Sequence, residues 1–297
     1  MHAPPMRFGT LCSGIEGAAV AFSPLGWELA FSSEIDPFCC ALLTTRYPGV
    51  PNYGDIEQAT SLPAVDAIVS GTPCQSFSVN GKRAGMDDPR GRLALRFAEI
   101  LRREHPKWII WENVPGVLSS NGGRDFGAFL GTLVQLGYGF AYRVLDAHFF
   151  GVPQRRRRLF VVGRYGSASH AAAVLFERPS CRCHVAAPRE VRERRDGVQP
   201  VAKETLYGWT GDETPKFGVE CCPTLRAYQG GEGVGVIGES LFRRLTIDEW
   251  ELLQGFPPGY TDIDGASDAA RRRAVGNAFC VPVMRWIGQR VNLVQGA

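Results

Sequence analysis

The sequence predicts an α/β fold: a mostly parallel sheet covered by helices on both faces, with a smaller and more irregular unit attached. Three observations predict it. Between residue 7 and about residue 165, short apolar runs alternate with helix-length stretches. Four of the apolar runs lead directly into loops bearing Gly, Pro, Cys or acidic residues, as ligand loops of open α/β sheets do. From residue 166 to 240 the chain turns to Gly, Pro, Arg and Cys with little periodicity.

Arg7–Leu11 reads as the first strand and residues 18–25 as the helix after it. Residues 27–32 form a second strand, and 37–45 a helix stopped by Tyr47-Pro48, because the residue before a proline is pushed out of the helical region. Residues 64–70 are a buried strand, 93–104 an amphipathic helix and 108–111 another strand. A helix over 126–136 closes at Gly137, and 158–163 is the last β run. After the irregular middle, 240–254 returns to a helical pattern, with Thr246 as N-cap and Glu249 three residues on in a capping-box arrangement. An Arg-rich helix over 269–274, a Gly276-Asn277 turn and an apolar tail over 281–291 complete the chain, which has no internal repeat.

At 297 residues the chain holds one large domain, or one of ordinary size and a smaller one. With 44% hydrophobic and 21% charged residues its composition is that of a soluble globular protein. It has no run of 18 apolar residues to span a membrane and no signal-peptide pattern at its start, so a cytosolic protein is expected. The nine cysteines, an odd number without a scaffold-like spacing, are then expected as thiols. The net charge of +3 says little, but residues 151–200 hold eleven arginines against four acids, which suits a polyanionic partner as well as a solvated loop.

The four loops carry the chemistry. Leu11-Cys12-Ser13-Gly14-Ile15-Glu16-Gly17 lets backbone approach a ligand, without the dinucleotide fingerprint. Ser33-Glu34-Ile35-Asp36 offers an acid suited to ribose hydroxyls. Gly71-Thr72-Pro73-Cys74-Gln75 presents a thiol at a strand's end, and Glu112-Asn113-Val114-Pro115 a carboxylate whose pKa the adjacent core should raise. A thiol and an acid on neighbouring strand ends suggest nucleophilic chemistry; a capped strand with a solvated Glu accounts for the same residues.

Taken in order, these motifs resemble those of the DNA cytosine-5 methyltransferases: Pro73-Cys74-Gln75, Glu112-Asn113-Val114 and Gln154-Arg155-Arg156-Arg157-Arg158. Thr10 to Gly17 matches the family's opening loop, Glu34 its ribose acid, Gly54-Asp55-Ile56 its Gly-Asp-Ile, and Asp88-Pro89-Arg90-Gly91 with Leu93 its Asp-x-Arg-Gly element. Arg244-Leu245-Thr246 through Leu253-Gln254-Gly255-Phe256-Pro257 and Gly276-Asn277 match the late motifs. The chain departs from the pattern at Cys12, where an aromatic is usual, at Glu16, where glycine is commoner, and at Arg157, an extra charge.

The resemblance implies a Rossmann-like S-adenosylmethionine-dependent methyltransferase sheet over 1–167, completed by 266–297, with a smaller irregular target-recognition domain over 168–265. It implies Cys74 as nucleophile toward carbon 6 of cytosine, Glu112 on the N3 edge, and Arg158 on O2 with Arg156 in support. S-adenosylmethionine is expected at Cys12, Ser13, Gly14, Ile15, Gly17, Glu34, Ile35, Asp55, Ile56, Pro73, Leu93, Asn277 and Ala278. Double-stranded DNA, with its target base flipped out, is expected at Gln75, Ser78, Asn80, Lys82, Thr224 and Arg226, with Tyr228 and Gln229 as further groove-readers. The enzyme is expected as a monomer in a bacterial or phage-infected cell, with any cognate restriction endonuclease acting separately. Cys181-Arg182-Cys183-His184 with Cys221-Cys222 lacks the usual ligand spacing, so no metal is expected. The rival readings are a catalytically silent DNA-binding scaffold, a tRNA substrate, and a nicotinamide-dependent dehydrogenase. The first conflicts with the joint presence of Cys74, Glu112 and Arg158, and the second with the long Gly/Arg-rich middle segment. The third leaves Pro73-Cys74-Gln75 unexplained.

Overall fold

The computed structural model describes residues 4–72, 89–176, 205–209, 216–218, 222–225, 233–237 and 242–296. Its centre is a six-stranded sheet in the order β2-β1-β3-β4-β7-β5. The strands are β1 (Arg7–Leu11), β2 (Glu28–Phe31), β3 (Ala67–Ser70), β4 (Trp108–Asn113), β5 (Tyr138–Asp146) and β7 (Arg157–Tyr165). β1, β2, β3 and β4 run parallel; β7 alone is antiparallel to its neighbours β4 and β5. The mostly parallel sheet is therefore as the sequence predicts.

Period-two alternation between two covered faces explains why the middles of the central strands are apolar on both sides. Trp108, Ile110, Val69, Phe160 and Val162 enter one core, while Ile109, Trp111, Ile68, Leu159 and Val161 enter the other. The first core is closed by α1 (Gly17–Phe22), α5 (Ala168–Leu175) and the last helix, α8 (Val281–Gln295). The second is closed by α3 (Pro89–Glu104) and α4 (Arg124–Gln135), through Phe97, Leu101, Phe126 and Phe129. Gly9 in β1 is required sterically: a Cβ there would lie 2.1 Å from the Phe31 ring. α8 returns to the start of the chain, where Trp27 Nε1 donates to Asn292 Oδ1 at 2.8 Å.

Outside the main sheet, β6 (Gln154–Arg155) pairs in parallel with β10 (Cys222–Pro223). A separate antiparallel sheet has the order β12-β11-β8-β9, from β8 (Thr205–Trp209), β9 (Lys216–Gly218), β11 (Gly233–Ile237) and β12 (Phe242–Arg244). The helices α2 (Pro37–Arg46), α6 (Ile247–Gln254) and α7 (Asp268–Asn277) complete the set among the described residues.

Three local expectations change. The helical pattern of 240–254 divides into β12 and α6, because Thr246 starts the helix. Its hydroxyl accepts from Glu249 N at 3.2 Å, and Glu249 Oε2 accepts from Thr246 N at 2.8 Å. Gly276-Asn277 is the last turn of α7 rather than a turn outside it. β5 is a nine-residue strand that the sequence pattern does not mark, because it is an edge strand with mixed exposure. No helix among the described residues is long and apolar enough to cross a membrane.

Candidate active site

The loop after β1 turns sharply, with Cys12, Gly14 and Glu16 all in the left-handed region. It is fastened to the end of β2 by Glu34. Glu34 Oε2 accepts from Gly14 N at 2.6 Å, and Oε1 accepts from Ile35 N and Asp36 N, each at 2.8 Å. Asn52 Oδ1 accepts from Glu34 N and Gly54 N at 2.9 and 3.1 Å, and Ser33 Oγ donates to Gly54 O at 2.7 Å. Three segments far apart in sequence thus become one wall. Asp36 caps α2 through the amides of Phe38 and Cys39 and pairs with Arg273 at 3.1 Å.

The neighbouring wall is made by the ends of β3 and β4. Trp111 Nε1 donates to Thr72 Oγ1 at 2.9 Å, and Asn113 Nδ2 to Thr72 O at 3.1 Å. Thr72 is therefore anchored to the strand that carries Glu112. Glu112 Oε1 meets Arg158 Nε at 3.2 Å, both side chains being mostly buried. Burial pushes the Glu112 carboxyl up from its usual range, and the Arg158 and Arg156 charges oppose that rise.

Alternation along β7 and the short strand before it sends Arg156 and Arg158 inward. Arg156 is buried and donates to Ala278 O at 2.8 Å, Gly276 O at 3.0 Å and Leu225 O at 3.3 Å. Burial and the Arg158 charge bring its pKa down to about 10, so it keeps its proton at neutral pH. Gln154 extends the tie: it donates to Leu253 O and Gln254 Oε1, both at 2.8 Å, and accepts from Leu225 N at 3.3 Å.

A cavity of about 550 Å³ collects these parts. It is lined by Cys12, Gly14, Glu34, Ile35, Asp55, Ile56 and Asn277 of the expected cofactor set, together with Glu112, Arg156 and Arg158 of the expected catalytic set. Ile35 is 68% exposed, an apolar side chain left open at the cavity wall. Ser13, Ile15, Gly17 and Ala278 do not line it: Ser13 and Ile15 are buried behind the loop, Gly17 begins α1, and the Ala278 carbonyl is taken by Arg156 and Gln254. Leu93 lies within α3. The Thr224 hydroxyl donates to the Arg155 carbonyl. Cys74, Pro73, Gln75, Ser78, Asn80, Lys82, Arg226, Tyr228 and Gln229 lie outside the described residues, as do Cys181, Cys183, His184 and Cys221.

Cys39 and Arg273 also line the cavity and were missed by sequence reasoning; Asp36, Thr72 and Asn113 line it too, standing in the predicted ligand loops but given no role there. Asp36-Pro37 is a readable helix-start signal. Arg273, inside an arginine triplet, looks like any solvated helix face.

The profile of the C-5 cytosine-specific DNA methylase family matches residues 6–180 and 177–292. Type II methyltransferase M2.BsuMI of Bacillus subtilis (strain 168) is 32% identical, over 98% of this chain and 77% of its own length. A protein of Escherichia phage P1 named DNA N-6-adenine-methyltransferase is 29% identical over 96% of this chain, which spans 61% of that relative's length. Among solved structures, a mutant of Spodoptera frugiperda DNMT2 superposes with a TM-score of 0.70 at 19% identity, covering 97% of this chain and 99% of that one. At that identity the likeness speaks for the fold.

Proposed function

The chain belongs to the family of C-5 cytosine-specific DNA methylases, and on that premise we propose that it methylates carbon 5 of cytosine within a specific duplex DNA sequence. The observation that carries this reading is the Arg158–Glu112 ion pair, at 3.2 Å, opening into the same cavity as Glu34 and the glycine-bearing loop.

The cavity fits S-adenosylmethionine. Glu34 keeps acceptor capacity beyond its three amide bonds for ribose hydroxyls. Gly14, with open space where a Cβ would stand, allows close backbone approach, and Ile35 offers an apolar surface for a base. When bound, the cofactor supplies an electrophilic methyl group.

Carbon 5 of cytosine is a weak nucleophile because its π electrons are held in conjugation. The Cys74 thiolate adds to carbon 6, which breaks the conjugation and leaves an enamine-like ring reactive at carbon 5. Glu112, its carboxyl raised by burial, holds the N3 and amino edge and gives N3 positive character as the thiolate adds. Arg158 holds O2 and orients Glu112. After transfer the carbon 5 proton leaves to a base and Cys74 is eliminated. Arg156 acts at one remove, holding the 225 and 276–278 segments beside the pocket.

Neither ring carbon is reachable inside a duplex, so the base must flip out, at a cost of about a few kcal/mol. Gln75, Ser78, Asn80 and Lys82, after the nucleophile, are assigned to the DNA, and Thr224 and Arg226 to its recognition. Residues 1–167 with 266–297 form the catalytic domain in this reading and 168–265 carry the target-recognition unit, α5 and α6 at its two ends packing into the catalytic core. We assign the working form as a monomer in the cytoplasm of a bacterial or phage-infected cell, with any cognate restriction endonuclease acting separately.

The name of the phage P1 relative points to adenine N6. Methylating an exocyclic amine needs no thiol adduct, so the Pro73-Cys74-Gln75 loop of this sequence favours carbon 5 here. Bisulfite sequencing of DNA from cells expressing the chain tests the reading. Protected cytosines in one sequence context are expected, whereas adenine methylation alone, or label from tritiated S-adenosylmethionine entering only tRNA in parallel assays, overturns it.

A further inference from the structure

Glu16 is a carboxyl group in surroundings built for an uncharged one. It occupies the left-handed N-cap position of α1, at φ 58° and ψ 45°, yet makes no side-chain cap. Its side chain folds back beneath the loop of residues 12–17 and is completely buried. Oε1 is hydrogen-bonded by Thr10 Oγ1, which in turn meets Ser13 Oγ at 2.7 Å. Ser13 Oγ continues to Ser33 O at 3.2 Å. Oε2 is buried without a partner.

The charged and titratable groups around it offer no counter-charge. Glu34, at the end of β2, is acidic; Tyr47 after α2 and Tyr260 after α6 are neutral phenols, 3.2 Å apart through their hydroxyls. Arg46, beside the two phenols, is spent on the Tyr260 ring and on the carbonyls of Gly259 and Tyr260. No lysine or arginine among the described residues pairs with Glu16. A carboxylate here would be an uncompensated buried charge, whereas a carboxylic acid has a proton to share with the Thr10 hydroxyl.

We propose that Glu16 is a positioning residue for cofactor binding, which as the neutral acid braces the loop of residues 12–17 from beneath and as the carboxylate releases it. The inference rests on the assignment of that loop to the S-adenosylmethionine site. It concerns this chain in particular, because the residue stands where the family more often has glycine. The loop is the other partner of the Glu34 carboxylate, through Gly14 N, so a disturbance beneath it reaches the ribose acid. Burial and, more weakly, the Glu34 charge raise the Glu16 pKa to about 8, against the pull of the Thr10 and Ser13 hydroxyls and the Ala19 amide. Cys12 and Tyr47 are both pushed up to about 12 and stay protonated across the range in question.

The test is calorimetric binding of S-adenosylmethionine and of S-adenosylhomocysteine, from pH 6 to 9.5, to wild type and Glu16→Gln. Wild-type affinity for both ligands is expected to be flat below pH 8 and to fall about tenfold per pH unit above it. Glu16→Gln should hold the low-pH affinity throughout. A flat wild-type profile, or a Glu16→Gln profile that falls in parallel, overturns the proposal. So does S-adenosylmethionine gaining on S-adenosylhomocysteine as pH rises, since that makes the carboxylate a counter-ion for the sulfonium. Absence of binding by either protein at every pH, with native melting curves, refutes the cofactor assignment itself.

Discussion

Trp111 Nε1 donates to Thr72 Oγ1 at 2.9 Å, so the strand that carries Glu112 holds the residue two before Cys74. Both partners are buried, which shields the bond from solvent. Thr72→Val keeps the shape and removes this acceptor from the buried indole N–H, which costs about 1 kcal/mol of stability. Because the Pro73-Cys74 loop starts at this anchor, the turnover number is expected to fall about tenfold as the attack geometry loosens, with DNA affinity unchanged. Urea denaturation and single-turnover kinetics read the two effects. Wild-type turnover in the variant removes Thr72 from the positioning of the thiol.

Arg156 and Arg158 sit two residues apart and should fail differently. Arg156→Met leaves the carbonyls of Leu225 and Gly276 without this donor and that of Ala278 with Gln254 alone. Loss of several kcal/mol of stability is expected, about 1–3 for each buried carbonyl left unsatisfied, with activity falling in step with the folded fraction. Arg158→Met removes the cation beside Glu112. It should fold, lose about a hundredfold or more in turnover, and shift the basic limb of the pH–rate profile upward, because the Glu112 carboxyl rises further once its counter-charge is gone. An unshifted limb in Arg158→Met means that Glu112 is not the group titrating there.

What the sequence disclosed follows from the range of the interactions involved. β3 and β4 are buried on both faces and open with the apolar runs 67–69 and 108–111, and β1 is buried past Arg7, so they and the loops after them were legible. β5 pairs on one side only and mixes Arg143 and Tyr142 with Ala141 and Leu145, so no period marks it. The inward direction of Arg156 follows from alternation, but its partners lie 69, 120 and 122 residues away and leave no local trace. The Asp36–Arg273 pair, 237 residues apart, was hidden for the same reason. Glu16 stood out as a departure from pattern, while its burial, and the Tyr47 and Tyr260 phenols that come near it from distant parts of the chain, left no local trace.

Cys74 carries the covalent step, and it can be separated from DNA binding. Cys74→Ser exchanges a thiol for a hydroxyl that is a far weaker nucleophile at neutral pH, with little change in volume. Turnover should disappear while gel-shift affinity for target duplex stays within about threefold of wild type. Duplex with 5-fluorocytosine at the target position should trap the wild-type protein covalently, because fluorine at carbon 5 cannot leave as a proton does. Full activity of Cys74→Ser, or no trapped adduct in wild type under turnover conditions, refutes the nucleophile assignment.

Glu16 also makes stability depend on pH, with a definite sign. Its carboxyl titrates near 4.5 when the chain is unfolded and at about 8 when folded. Below pH 4.5 both states hold the proton and the group costs nothing. Between 4.5 and 8 the unfolded chain releases its proton while the folded protein retains it, so stability falls as pH rises, by at most about 1.4 kcal/mol per pH unit. Above 8 both states are ionised and the cost is complete and constant. Glutamine keeps the shape without the titration, so the stability difference between Glu16→Gln and wild type should grow from pH 4.5 to 8 by a few kcal/mol, on the order of the shift itself, and then level off. Other titrating groups are common to both proteins and cancel in that difference. Urea denaturation at pH 5, 6.5, 8 and 9 measures it. Parallel curves would mean that Glu16 ionises in the folded protein as it does in the unfolded chain, and that its burial beneath the loop carries no electrostatic cost.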